Sequence, residues 1–207
     1  MASLRILTGE EIVKKCLPAC VTVVSGSDEG VGLGSGFFVA KGGYVLTNNH
    51  VVEGARRVKI ITSAKEVLDA EVIRTVEVPD LALLKVQINS NPLLRLGDSD
   101  KVGAGAYAAT IGSPKGNLLK FTKGDISGTE IFRKNNCFQI SVLINHGNSG
   151  GPLLDQMGEV IGITTFGEGT AAVLRNGQSI GSDIQGINYA IKINEAKKFL
   201  KDNIPGF

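Results

Sequence analysis

No tryptophan occurs in the 207-residue chain, and aromatic residues make up only 5% of it. The 27 glycines exceed the roughly 7% of an average composition, and with so few rings they favour tight turns between short strands. No stretch approaches the ~20 consecutive apolar residues that a membrane-spanning helix needs. The opening Met1-Ala2-Ser3-Leu4-Arg5 lacks the apolar core of a secretory signal, so the chain is expected either to stay where it is made or to have lost a targeting segment. Charge of one sign is lacking too. The formal net charge is +2, with acids and bases interleaved, which argues against nucleic acid or an anionic membrane as partner.

A disulfide framework is also excluded, because the three cysteines, Cys16, Cys20 and Cys137, are odd in number and scattered. Cys16 and Cys20 are spaced to share a helix face, but two thiols with no nearby histidine fall short of a zinc site. Buried packing is their expected role. What the chain does have is an apolar fraction of 43%, enough for an ordinary core in one sizeable domain or two small ones.

From Thr8 to Leu17 a threonine precedes Glu10 and Glu11, and Ile12, Val13, Cys16 and Leu17 recur at helical spacing, so a short N-terminal helix is expected. After Pro18 the texture changes. Short apolar or alternating runs bounded by Gly, Ser, Asn or Asp read as strands at 20–26, 34–40, 43–52, 58–62, 70–76, 81–88, 107–112, 138–144, 159–166 and 187–191. A helical pattern returns only at Asn194–Asp202, with Ala196, Phe199 and Leu200 on one side. These elements predict an all-β barrel or sandwich capped by a helix at each end. The polar, turn-rich stretch 89–101 is the expected link between two halves, 1–93 and 94–207, each with about six strands, a natural number for a small closed barrel.

The strongest local signal is Gly147-Asn148-Ser149-Gly150-Gly151-Pro152-Leu153. A serine between glycines lets backbone amides crowd around a developing oxyanion, as a nucleophile requires. The same composition also makes ordinary turns. Two further elements separate the readings. His50 follows the run 44–49 and precedes Val51-Val52, while Asp80 opens the apolar run 81–86. A general base and a carboxylate to orient it, arriving from separate segments, would complete a nucleophilic triad in the chain order His, Asp, Ser of the chymotrypsin type.

These segments, 47-TNNHVV, 80-DLALLKV, 147-GNSGGPL, 158-GEVIGI and 186-GINYAI, resemble the trypsin-like peptidases and, within them, the HtrA/Deg family. The resemblance spans about Glu10 to Leu200. It implies an all-β fold of two six-stranded antiparallel, chymotrypsin-like barrels with short N- and C-terminal helices, forming one peptidase domain without a PDZ domain. It further implies a serine endopeptidase with His50, Asp80 and Ser149 catalytic and an oxyanion hole at Gly147, Asn148 and Ser149. Its substrates would be unfolded or damaged proteins or peptides, no cofactor or metal would be needed, and Leu4, Ile6 and Leu7 with the first helix would support a homotrimer. The implied location is an envelope compartment or an organelle.

Two departures from the family stand out. Ser141 falls where HtrA relatives usually carry an aspartate, and His146 where a proline or similar residue is common. They motivate an alternative reading, a binding or chaperone module with a collapsed oxyanion loop; a narrow-specificity processing peptidase on the same barrels is the other. His146 is given no catalytic part. For the substrate pocket, Leu143 lies six positions before Ser149, where a charge would select a basic side chain, and 162–166 and 186–188 would add further wall. An apolar pocket of Leu143, Ile144, Thr164 and Thr165 would suit small or medium aliphatic side chains. Core packing accounts for Leu143 and Ile144 equally well.

Overall fold

The computed structural model describes residues 5–28, 30–113, 119–165, 171–175, 178–182 and 188–207, of which 171–182 are described by their backbone alone. The first helix, α1 (Gly9–Cys16), begins where the sequence places its start. Thr8 Oγ1 accepts from Glu11 N, and Glu11 Oε2 accepts from Thr8 N, so each satisfies an amide of the first turn. Acids in the first turn and Lys14 and Lys15 in the last suit the helix dipole. Pro18 enters a short 3-10 turn over Leu17–Ala19 that hands the chain to strand.

Six strands follow: β1 (Cys20–Ser27), β2 (Gly30–Ala40), β3 (Tyr44–Thr47), β4 (Arg57–Thr62), β5 (Val67–Val76) and β6 (Leu81–Val86). They close antiparallel in the order β1-β2-β3-β6-β5-β4. A second barrel comprises β7 (Tyr107–Gly112), β8 (Lys120–Phe132), β9 (Asn135–Ile140), β10 (Pro152–Leu154), β11 (Val160–Thr165) and β14 (Asn188–Lys192), in the order β10-β11-β14-β9-β8-β7. Between them in sequence, β12 (Ala171–Arg175) and β13 (Gln178–Ser182) pair only with each other among the described residues. The chain ends in a helix over Ile193–Asn203, which buries Ile193, Ala196, Phe199 and Leu200.

Three apolar clusters explain why some strands read as continuous hydrophobic runs. Ala82, Leu84 and Val86 point into the first barrel with Val21, Val23 and Phe38, whereas Leu81 and Leu83 on the opposite face join Phe37, Ile111, Ile163 and Leu200 between the barrels. A strand buried on both faces needs no polar alternation. The second barrel is filled by Ala108, Phe138, Ile140, Leu153 and Ile161, among others. The stretch 89–101 is stitched to both barrels rather than hanging free. Asn91 Oδ1 accepts from Gly43 N, Leu94 N donates to Phe38 O, and Gly97 N and Val160 N donate to Val160 O and Arg95 O.

Three local expectations change. The run 43–52 is not one strand: β3 ends at Thr47, and Asn49–Val52 forms a single helical turn, α2, that buries Val51 and Val52. The run 138–144 stops pairing at Ile140, where the loop to Ser149 begins. Strand β8, with its polar and largely exposed text, gave no apolar signal, yet it is the longest strand among the described residues and pairs with β7 and β9 along its length. Its stability comes from two neighbours' ladders, which composition does not reveal.

Candidate active site

The turn before β6 and the turn α2 lock together through Asp80. Its backbone N donates to Glu77 O, and its carbonyl accepts from Asn49 N (3.2 Å) and Asn48 Nδ2 (2.9 Å). The residue sits at φ 58°, a left-handed conformation that is uncommon outside glycine, asparagine and aspartate. This pose aims both carboxylate oxygens at one residue. Oδ1 accepts from His50 N at 3.0 Å, and Oδ2 lies 2.8 Å from His50 Nδ1. A proton on Nδ1 is therefore held by the carboxylate, which leaves Nε2 with its lone pair. The Asp80 side chain is 19% exposed and that of His50 41%, so the acid stands behind and the ring reaches the solvent.

Ser149 lies in the loop between β9 and β10, and it lines the same cleft as His50, Gly147 and His146, of roughly 580 Å³. Among the described residues its hydroxyl makes no hydrogen bond, and a contact from Oγ to Nε2 is thus not yet closed. In unliganded sites such contacts are often long and tighten when substrate binds.

The backbone around Ser149 is fixed carbonyl by carbonyl. Ser35 Oγ donates to Gly147 O (2.6 Å), Thr164 Oγ1 and Gly151 N donate to Asn148 O (2.7 and 3.1 Å), and Ser35 N donates to Ser149 O (2.8 Å). Asn148 N is engaged with Asn145 O, and Gly150 N with Thr164 O. Among the described residues the amides of Gly147 and Ser149 donate to nothing. In a trans peptide N–H points opposite to C=O, so holding Asn148 O on Thr164 turns the Ser149 amide the other way. Gly147 itself has φ 99°, which a side chain would resist.

Of the expected pocket residues, Thr165 lines the cleft and Thr164 is buried behind the loop it holds. Leu143 is 58% exposed and does not border the cleft, while Ile144 packs in the second barrel's core with Phe138 and Val142. Phe166, Gly186 and Ile187, expected along the same wall, lie outside the described residues. Ser141 Oγ accepts from Asp125 N (2.9 Å) and ties the start of the loop to β8, and His146 is exposed at the cleft. Sequence reasoning passed over Ser35, which lies 112 positions from its partner Gly147; a serine within a glycine-rich strand carries no signal of such a partner.

Among the described residues no three His, Cys, Asp or Glu side chains group as a metal site, and no helix is long and apolar enough to cross a membrane.

Two closed six-stranded antiparallel barrels, with His50 and Ser149 lining one cleft and Asp80 bonded to His50 behind it, define a chymotrypsin-like architecture. The chain belongs to the trypsin-like peptidases, since the profile of the trypsin-like peptidase domain matches residues 34–163, and within them it is similar to DegP-like and HtrA-type proteases. A DegP-like periplasmic serine endoprotease of Pseudomonas putida is 43% identical over 141 residues, covering 66% of this chain and 30% of its own length. The serine protease HhoB of Synechocystis is 37% identical over 174 residues, 80% of this chain and 39% of its own. The solved serine endoprotease from Yersinia pestis superposes with a TM-score of 0.82 at 28% identity, covering 96% of this chain and 67% of that one. The HtrA-type protease AlgW, solved with a tripeptide, gives 0.81 at 31% identity, with 96% and 64% covered. The chain thus spans about 30% of the length of the DegP-like relatives it matches.

Proposed function

We propose that the chain is a serine endopeptidase, and that the observation carrying this reading is the paired grip of Asp80 on the backbone and ring of His50 beside the cleft that holds Ser149. Ser149 Oγ attacks the scissile carbonyl carbon and passes its proton to His50 Nε2. The carbonyl oxygen, now an oxyanion, accepts from the amides of Gly147 and Ser149, which donate to nothing among the described residues. Collapse breaks the C–N bond, and the leaving amine takes the proton from Nε2. Water then attacks the acyl-enzyme with Nε2 again as base, and the acid product leaves with Ser149 restored.

Similarity to the HtrA/Deg proteases extends the proposal to unfolded or damaged protein as substrate. The P. putida relative is named periplasmic, which supports an envelope compartment. We assign residues 1–93 and 94–207 to the two halves of one peptidase domain. A homotrimer built on the N-terminal segment follows from the same kinship; Ile6 there is 66% exposed, Leu4 lies outside the described residues, and sedimentation as a monomer would remove the idea.

The test is chemical. A fluorophosphonate should label Ser149 in the wild-type chain and not in Ser149→Ala, and only the former should degrade unfolded casein. Absence of labelling in well-folded wild-type protein would refute the peptidase.

A further inference from the structure

Ser35 stands on β2 of the first barrel, is wholly buried, and touches the loop of the second barrel at two carbonyls. Its hydroxyl donates to Gly147 O (2.6 Å) and accepts from Ser113 N (2.9 Å), while its own N–H donates to Ser149 O (2.8 Å). These carbonyls belong to the peptides on either side of the one that carries the Ser149 amide. The peptide 147–148 is clamped at both ends, by Ser35 on its oxygen and by Asn145 O on its N–H. Gly147, with no side chain and φ 99°, has little of its own to stop its two flanking peptides from turning. The chain needs an outside constraint at this residue if its amide is to stay aimed at the cleft.

We propose that Ser35 is a positioning residue for the oxyanion hole: its hydroxyl holds the Gly147 carbonyl so that the amides of Gly147 and Ser149 stay convergent before substrate arrives. This rests on the peptidase reading above. The constraint comes from the opposite barrel, so the hole is complete only when the two barrels are docked. Donors fixed in advance need no reorganisation at the transition state, which is where such a hole gains its effect.

Ser35→Ala keeps the N–H to Ser149 O and removes only the hydroxyl. We expect kcat to fall about 10- to 100-fold, less than the loss of a direct oxyanion donor but typical of a misplaced one, with KM within about twofold because ground-state contacts are untouched. Phosphonate labelling of Ser149 should slow in parallel. The control is Ser99→Ala, an equally buried hydroxyl that accepts from Asn194 N at the start of the last helix; it should lower Tm but leave kcat unchanged. A Ser35→Ala enzyme with wild-type kcat, or a Ser99→Ala enzyme slowed to the same degree, overturns the proposal.

A second measurement needs no variant. In a crystal of the wild-type phosphonate adduct, the phosphoryl oxygen should accept from Gly147 N and Ser149 N with the Ser35–Gly147 bond intact. A Gly147 peptide turned away from Ser35 in that adduct overturns the proposal even if Ser35→Ala fails to fold. Wild-type protein that does not label at all refutes the peptidase reading itself, and this inference with it.

Discussion

Gly150, directly after Ser149, is where the loop of the second barrel meets the wall of the first. Its φ is +86°, and a Cβ placed there would lie 2.2 Å from Thr47 Oγ1, 2.3 Å from Ser35 O and 3.1 Å from Asn48 N. Two of those three atoms are backbone, and Ser35 O is itself fixed by a bond from Thr47 Oγ1, so no side-chain rotation clears the space. Gly150→Ala therefore carries two costs. The left-handed backbone costs about 1–2 kcal/mol for a residue with a Cβ, and forcing a methyl into a packed seam costs about 1–3 kcal/mol. Together they remove about 2–5 kcal/mol from a total of typically 5–15 kcal/mol, which at about 2–4 °C per kcal/mol for a chain of this size is a Tm loss of about 4–20 °C.

Two other glycines separate the terms. Gly54 has φ +68° but nothing within 4 Å of a Cβ, and Gly103 has open space without the positive φ. Gly54→Ala should cost only the backbone part, about 1–2 kcal/mol, and Gly103→Ala close to nothing. Scanning calorimetry of the three variants should rank them Gly150, Gly54, Gly103. If Gly150→Ala and Gly54→Ala lose the same Tm, the loop does not press on the first barrel and the steric reasoning fails.

Asp80→Asn should lower kcat by about 10⁴-fold with KM little changed, because an amide presenting its NH₂ to His50 Nδ1 stabilises the tautomer whose Nε2 carries the proton and cannot act as base; wild-type turnover would refute Asp80 as the orienting acid. Desolvation pushes the Cys16 thiol up to about 11, Cys137 up to about 12 and Cys20 well above its ordinary 9.0. Since thiolate is the reactive form, the native protein at pH 8 should resist Ellman's reagent while the denatured chain releases all three equivalents, and a fast native thiol would contradict that burial. Hydrogen bonds from Asn194, then Lys101 and the Asp100 amide, hold the Asp98 carboxyl down at about 2, below its ordinary 3.8. A depressed folded-state pKa contributes stability that is whole above about pH 3.8 and is lost as pH falls through about 2. Asn194→Ala should therefore flatten the fall of Tm across that window, and an unchanged slope would count against the linkage.

Much of the barrel framework was legible in the text because its causes are local. Threonine before two glutamates announces a capped helix, and Gly, Asn and Asp punctuate strands whose apolar residues have few alternatives to burial. Strand β8 was not legible, since its neighbours and not its own side chains make it a strand. The helical turn at Asn49–Val52 escaped for a related reason: Val51 and Val52 favour strands on their own, and what holds the turn is the pair of bonds from Asn49 and His50 to Asp80, a partner distant in sequence.

The sequence by itself determined which residues are available for chemistry: a serine in a Gly-Asn-Ser-Gly-Gly run, a histidine, an aspartate at the head of an apolar run, and the order in which they occur. Tertiary structure alone decided how they are aimed. The orientation of an amide or an imidazole depends on hydrogen bonds with partners dozens to a hundred residues distant, such as Ser35 with Gly147. Such partners are chosen by how the two barrels close and dock, which no spacing along the chain encodes.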